Sequence, residues 1–565
     1  MLNKKMPNKT PVIAIGLDAG DALLIEKWIN EGHLQNFRKL QQAGGYCRLH
    51  NTVNYCGRPE PVASTEILWP AFISGCRADK TGYWDIIKYY PDRYDISCDL
   101  ADSGSSYHDY PPFYALGEEY KVAVFDQPYA HLCDRVNGVQ ILGWGGTFPY
   151  TESASHPPQL FSQITEKYGK NPILYNDNGI WWDKKYINWE KQALKQSIVN
   201  RTAICRDLLR RESWDLFLTN FNEPHTVGHD LYAFSDLEHP LYHHVPRSKN
   251  DVDPVLETYK QIDRAIGEIL SEVADHAYIL CFSPHGMGLN YSDLLSQTFL
   301  PEVLYRYNFP GKVAIAPGKL GVTPPPVITK PVRNSWSGNI WVNLHEPNPM
   351  KKLIKTWTHK SFLKSNQHGL RSPYSQEALE KPMGWMPSMW FQPLWPQMKA
   401  FALPAFADGH IRINLKGRER DGIVKSSEYE TICDELTQIL YRLQDARTGK
   451  PIVKKVVPTR QYATEDDPRL PNSDLIVVWQ EQMTDVIDST DFGRIGPVIY
   501  YRSGSHWERG FLMMKGPGIT PGSHLPQGDI VDLPATILNL MGLPIPEYFD
   551  GKPLVNNLAL HRINT

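Results

Sequence analysis

No stretch of this sequence is apolar for long enough to cross a bilayer, which takes about 20 residues, so no membrane partner is expected. Nor is there an excess of one charge: 59 basic against 62 acidic side chains leave a net charge of -3. That balance provides no field to attract a nucleic-acid polymer or a lipid surface. An anionic substrate would have to be met by local positive charge or by a metal. Paired cysteines are missing too. Cys47, Cys56, Cys76, Cys98, Cys133, Cys205, Cys281 and Cys433 are scattered without a CxxC, which argues against a thiolate zinc cluster and lends no support to a disulfide framework. The basic opening MLNKKMPNKT leads into an apolar run too short for a signal peptide, so a reducing, cytoplasmic setting is expected. Internal repeats and low-complexity tracts are absent, which excludes a solenoid.

What is present is enough apolar material for a large core. The 565 residues are 41% hydrophobic, with 16 Trp and 29 Tyr, and exceed the usual length of one domain. PVIAIGLDAGD, residues 11–21, organises the rest. Val12 to Leu17 form a continuous apolar run, as in a central strand of a parallel sheet, and Asp18 follows where open α/β sheets place their ligands. Ala22 to Trp28 read as helix, with Asp21 as N-cap. Apolar strands ending near 221 and 283 likewise run into polar loops, and helical patterns at 186–211 and 256–274 lie between them. This is βαβ grammar. Residues 475–479 and 510–515 read as further strands, 429–443 as a helix, and 529–546 as a closing helix with Gly542 at its C-terminal end. The expected fold is α/β, a three-layer α/β/α sandwich on a largely parallel sheet. Residues 85–118, rich in Asp and Tyr without period, read as a surface excursion. Residues 291–404 break the pattern with many prolines and the run WMPSMWFQPLWPQ, and read as an inserted lid or substrate-pocket subdomain. The core is then discontinuous, 11–290 and 405–555.

The chemistry-bearing residues lie at the ends of these strands. His225 and His229 in HTVGH are spaced i,i+4, which on a helical turn puts both imidazoles on one face, a divalent-metal arrangement. Gly228 leaves a tight turn open instead. His285 follows a strand in SPHGMG and His506 precedes one in YRSGSHWERG. Imidazole with carboxylate suits zinc, manganese or iron. The partner should be an oxygen nucleophile, and Thr65 sits at a loop-to-helix start, where an ordinary N-cap is the plainer reading.

Together these pieces resemble the alkaline phosphatase superfamily, in its type I phosphodiesterase/nucleotide pyrophosphatase branch. The resemblance is carried by GLDAGD, TEILWPAFISG with KTG, HTVGH, SPHGMG, SGSHWERGFLMMKGPGI and DLPATILNLMGLPIPEYFDG, in that order and separation. It implies that Thr65 is the catalytic nucleophile. It also implies that Asp18, Thr65 and His285 hold one metal, and His225, His229 and His506 the other. Two departures alter the metal site. The family's acid before the histidine of its SDHG motif is Pro284 here, and His225 stands where an aspartate is common. Asp21 and Glu223 are the alternative oxygen ligands. One tight and one weak site for a divalent ion, zinc first, are therefore expected.

The activity implied is metal-dependent hydrolysis of a phosphate ester, phosphodiester or pyrophosphate bonds first, through a covalent phospho-threonine on a small anionic ester. A one-metal transferase or lyase acting on a specialised metabolite, or a non-catalytic anion-binding homologue, is the alternative. No CxPxR sequence surrounds Thr65, so a formylglycine sulfatase is not expected. A homo-oligomer remains open.

Overall fold

The computed structural model describes residues 9–99, 109–146, 152–175, 179–247, 251–315, 317–329, 335–344, 348–363 and 369–555. Its centre is a nine-stranded sheet. Five parallel strands form the middle, in the spatial order Tyr278–Ser283, Val12–Leu17, Leu216–Phe221, Gly117–Phe125 and Val136–Leu142. Gly510–Lys515 runs antiparallel beside Tyr278–Ser283, followed by Gly45–Leu49 and Ser523–His524 at that edge. Ala154–His156 closes the other edge.

The three innermost strands are buried at every residue, so both sheet faces are covered. One group of helices comprises Gln35–Ala43, Lys184–Arg211 and Pro254–Leu270. Asn36 Nδ2 donates to the Asp263 carbonyl at 2.9 Å, and Arg206 and Arg210 bind Glu272. Helix Thr65–Ser74 packs Trp69 and Phe72 onto Phe282 of the sheet. The α/β class with a largely parallel sheet, expected from the apolar runs, is what the chain forms.

Local readings differ in places. The helix read from Ala22 to Trp28 runs Ala22–Asn30, and Gly32 at φ 82° turns the chain into a separate second helix, Gln35–Ala43. The 85–118 stretch is not wholly a surface excursion. Strands Lys88–Tyr90 and Asp95–Ser97 form a hairpin, and Tyr89 and Tyr94 pack against Phe401; residues 100–108 lie outside the described residues. Strand Leu475–Trp479 does not extend the central sheet. It belongs to a separate antiparallel sheet with Ala400–Leu403, Gly409–Ile413 and Val453–Pro458. Strands of both sheets are continuous, largely buried apolar runs, so the pattern could not say which sheet a strand joins. Among the described residues no helix is long and apolar enough to cross a membrane.

Candidate active site

Parallel register brings the strand ends together. Leu17 pairs with Phe221 and Gly16 with Phe282, so Asp18, Asn222 and Pro284 leave the sheet side by side. This is the carboxyl edge, where such sheets bind ligands. Helix Glu223–Leu231 starts there, with Pro224 at its first turn, and carries His225 and His229 on one face, ring centroids 4.4 Å apart. The helical option for HTVGH is therefore the one adopted. Gly228 has a packing reason: a Cβ there would lie 2.6 Å from Met287 Cγ. His506 arrives by a different route. Strand Gly504–Trp507 pairs antiparallel with Gly286–Leu289, placing His506 opposite Met287.

His225, His229 and His506 offer ligand atoms that all lie within 4.8 Å of one another, and all three are buried. His229 Nδ1 donates to the Gly504 carbonyl at 2.8 Å, which leaves Nε2 free to accept, and that atom is 3.1 Å from His506 Nε2. Two nitrogens on a tetrahedral zinc lie about 3.3 Å apart for Zn–N bonds of about 2.0–2.1 Å. A backbone carbonyl behind a ligating imidazole is also the usual support for a metal. Burial, reinforced by Arg502 and His225, holds His229 well below its ordinary pKa. Burial and the neighbouring His285, His229 and His225 do the same for His506. Neutral imidazole is the form that ligates, so the donor set fits a divalent ion.

The linkage runs in one direction. The unfolded chain protonates these two histidines near pH 6.5, whereas the folded chain resists, so their contribution is present above that pH and lost below it. We expect chelator-treated protein to lose up to about 1.4 kcal/mol per pH unit for each imidazole as pH falls from 6.5. Denaturant titrations at pH 7.5 and 5.5, with His506→Ala as comparison, measure it; identical midpoints would refute it.

Beside the histidines lies a second group. Thr65 Oγ1 is 2.8 Å from His285 Nε2 and 3.5 Å from Asp18 Oδ1. His285 Nε2 is 3.4 Å from the same Asp18 oxygen, which also accepts from Trp69 Nε1 at 3.0 Å. Burial alone would raise the Asp18 carboxyl, but His225, His285 and the Trp69 bond hold it below its ordinary value. His285 Nδ1 donates to the Gly286 carbonyl at 3.2 Å, so Nε2 is left as acceptor for the threonine hydroxyl. The plain N-cap reading of Thr65 fails: Ser64 is the N-cap, and Thr65 is the first helical residue with its hydroxyl turned to His285. The ring centroids of His285 and His506 are 4.4 Å apart, so the two groups adjoin.

The alternative oxygen ligands are engaged elsewhere. Asp21 caps helix Ala22–Asn30 through Leu24 N at 2.9 Å, accepts from Met287 N at 3.2 Å, and faces Arg509 at 3.6 Å. Burial raises its carboxyl to about 6 despite Arg509. Glu223 Oε1 accepts from Ser197 and from Arg201 Nε at 3.1 Å. Gly145 comes close to this polar pocket: a Cβ there would lie 2.3 Å from Arg201 Nη2 and 2.7 Å from Asp126 Oδ2.

Sequence reading missed several residues of the cleft. Glu66, Tyr129, Asp293, Phe406 and Arg502 line the chamber over the three histidines. Arg502, bound to Asp293 at 2.9 Å, is its guanidinium. Its signal was proximity to His506 in YRSGSH. Phe406 had none, since it comes from the loop between two strands of the other sheet. Two tryptophans of the Trp-rich run are packing, since Trp390 and Trp395 are buried and Trp395 stacks on Phe401, whereas Trp385 is half-buried beside Phe406 of the chamber wall.

A threonine, an acid and four histidines thus gather at the carboxyl edge of a largely parallel sheet, the class of site a phosphoric ester hydrolase needs. The family model for type I phosphodiesterase / nucleotide pyrophosphatase matches residues 12–325, more than half of the chain. The chain belongs to that family. No curated protein sequence matches it. Solved structures that resemble it include phosphonoacetate hydrolase from Sinorhizobium meliloti 1021 in complex with phosphonoformate, at 11% identity and TM-score 0.45, covering 94% of this chain and 95% of that one. Human ectonucleotide pyrophosphatase / phosphodiesterase 5 matches at 11% identity and TM-score 0.45, covering 96% and 97%. Wild-type alkaline phosphatase PafA matches at 14% identity and TM-score 0.48, covering 97% and 99%.

Proposed function

We propose that this hydrolase cleaves phosphodiester or pyrophosphate bonds of a small anionic ester through a covalent phospho-threonine at Thr65. The observation that carries the reading is the 2.8 Å contact between Thr65 Oγ1 and an acceptor His285 Nε2, beside three converging histidines. Thr65 Oγ1 attacks phosphorus and its proton passes to His285 Nε2, with Asp18 3.4 Å away to stabilise the imidazolium. The leaving group departs as its oxyanion on the side opposite Thr65. Water then attacks phosphorus from that side and gives a proton to that oxyanion, while the P–O bond to Thr65 breaks and the threonine oxygen recovers its proton from His285. Arg502, on the chamber wall, supplies fixed positive charge for the phosphoryl oxygens.

His225, His229 and His506 would hold one divalent ion, zinc first, which when bound supplies Lewis-acid stabilisation of developing negative charge. Asp18, Thr65 and His285 would hold a second ion only weakly, because Pro284 contributes no ligand and His285 Nε2 already faces the threonine hydroxyl. We place the insertion at 291–404 as the cover of this cleft, with Phe406 and Ala407 just beyond it on the wall. The eight free cysteines support a reducing, cytoplasmic setting.

Metal content tests the reading. We expect near one equivalent of metal to survive dialysis at neutral pH, His229→Ala to lose it, and Pro284→Asp to add a second tight site. Elemental analysis with titration calorimetry measures all three. Two equally tight ions in the unmodified protein would sink the assignment of Pro284.

A further inference from the structure

Next to the chamber holding the three histidines is a second recess, enclosing about 490 Å³ counting its mouth. The two share Glu66, Phe406 and Ala407. Tyr55 and Trp84 line the recess as a stacked pair, ring centroids 5.0 Å apart and planes 19° from parallel. Three carboxylates also line it: Glu66, Asp85 and Asp408.

Among the described residues no cation forms an ion pair with these acids. Glu66 is only 6% exposed, and its one hydrogen bond, from the Ser64 hydroxyl at 2.7 Å, falls on Oε2. Among the described residues, Glu66 Oε1 has no hydrogen-bond or ion-pair partner, although it belongs to a side chain shared by both chambers. Asp85 accepts from the Ile87 backbone at 2.9 Å and pairs with no described cation. Asp408 has neither a hydrogen bond nor an ion pair among the described residues. Lys454, whose charge reaches Asp408, is bound to Glu481 at 3.7 Å, and Lys455 is bound to Glu60. His410, the one basic side chain on the lining, is pushed by burial to about 4 and carries no charge at neutral pH. Burial and Glu60 raise Asp408 to about 7, and burial and Glu66 raise Asp85 well above the usual carboxylate range.

A crowded, desolvated carboxylate takes up a proton unless something positive joins it, so an ammonium partner would hold Asp85 and Asp408 in their charged form. A bare metal ion is the wrong shape for the task. Among the described residues the three histidines are the one cluster of three or more His, Cys, Asp or Glu that could share an ion, and these carboxylates form no such cluster. A cation spread over several atoms can touch separated acids and lie against aromatic faces. Glu66 also follows Thr65 directly, so it would repel a plain phosphate ester at the reacting centre. An ester that brings its own positive charge removes that repulsion.

We propose that the recess binds an ammonium group carried by the organic part of the ester, so that the substrate is a zwitterion with its phosphoryl group at Thr65 and its cation between the Tyr55–Trp84 pair and Asp408. This rests on Thr65 as the reacting residue. Two 4-nitrophenyl phosphodiesters of equal size test it, one with a 2-aminoethyl and one with a propyl substituent. The aminoethyl ester is expected to show kcat/KM about tenfold higher. In Asp408→Asn and in Glu66→Gln that ratio falls towards one. Equal kcat/KM for the two esters in the unmodified protein overturns the recess proposal and leaves the phosphodiesterase reading standing. If neither ester turns over, the phosphodiesterase reading fails, and calorimetry with ethanolammonium chloride decides the recess. Saturable binding that Asp408→Asn abolishes upholds it; no binding overturns it.

Discussion

Thr65→Ala will abolish turnover while leaving the fold in place. Removing a nucleophile that acts as a unit with its base lowers kcat by on the order of 10⁴-fold or more. The structural cost is small, because the Thr65 hydroxyl does not cap its helix and touches only His285 and Asp18. One such hydrogen bond contributes about 0.5–1.5 kcal/mol, against a domain total of about 5–15 kcal/mol. Thr65→Ser keeps the oxygen and should retain most of the rate. Steady-state kinetics paired with thermal melts separate the outcomes. A lower Tm with activity retained in Thr65→Ala would make the residue structural and end the covalent mechanism.

Arg201→Met is expected to destabilise the protein by about 3–5 kcal/mol, the usual result of removing one partner from a buried ion pair. Arg201 is wholly buried, with Asp126 at 2.8 Å and Glu223 at 3.1 Å. Burial opposes its charge, but Glu223 and Asp126 more than offset that and hold the guanidinium above its ordinary pKa. Without it two carboxylates are left uncompensated in the core. Glu223 opens the helix that bears His225 and His229, so metal retention should fall along with stability. Replacing all three charges together (Asp126→Asn, Arg201→Met, Glu223→Gln) should cost less than Arg201→Met alone, since no buried charge is stranded. Denaturant titrations of the two variants measure the difference. A triple variant no more stable than the single one would mean that Arg201 acts by packing rather than by charge.

The limits of sequence reading show in particular residues. His225 and His229 were visible as a pair because they sit four apart on one element, and helical geometry turns that spacing into proximity. Asp18 and His285 were visible because each follows an apolar strand. Asp21 was legible as the cap of the first helix, and Glu223 only as an acid near HTVGH. Their partners, Arg201 and Arg509, come from distant parts of the chain.

What the sequence determined by itself was the α/β class, the carboxyl edge as the place of the site, and Thr65 with its histidines as the residues to examine. Local periodicity encodes strands and helices, and motif order encodes family. Tertiary structure alone decided the rest. A two-stranded ribbon sets His506 opposite Met287, and the helix start turns Thr65 away from capping and towards His285. A loop from a second sheet brings Phe406 and Asp408 beside Glu66 across more than three hundred residues. Those contacts depend on which surfaces pack together, and local pattern carries no record of that because many partners satisfy the same continuous apolar run.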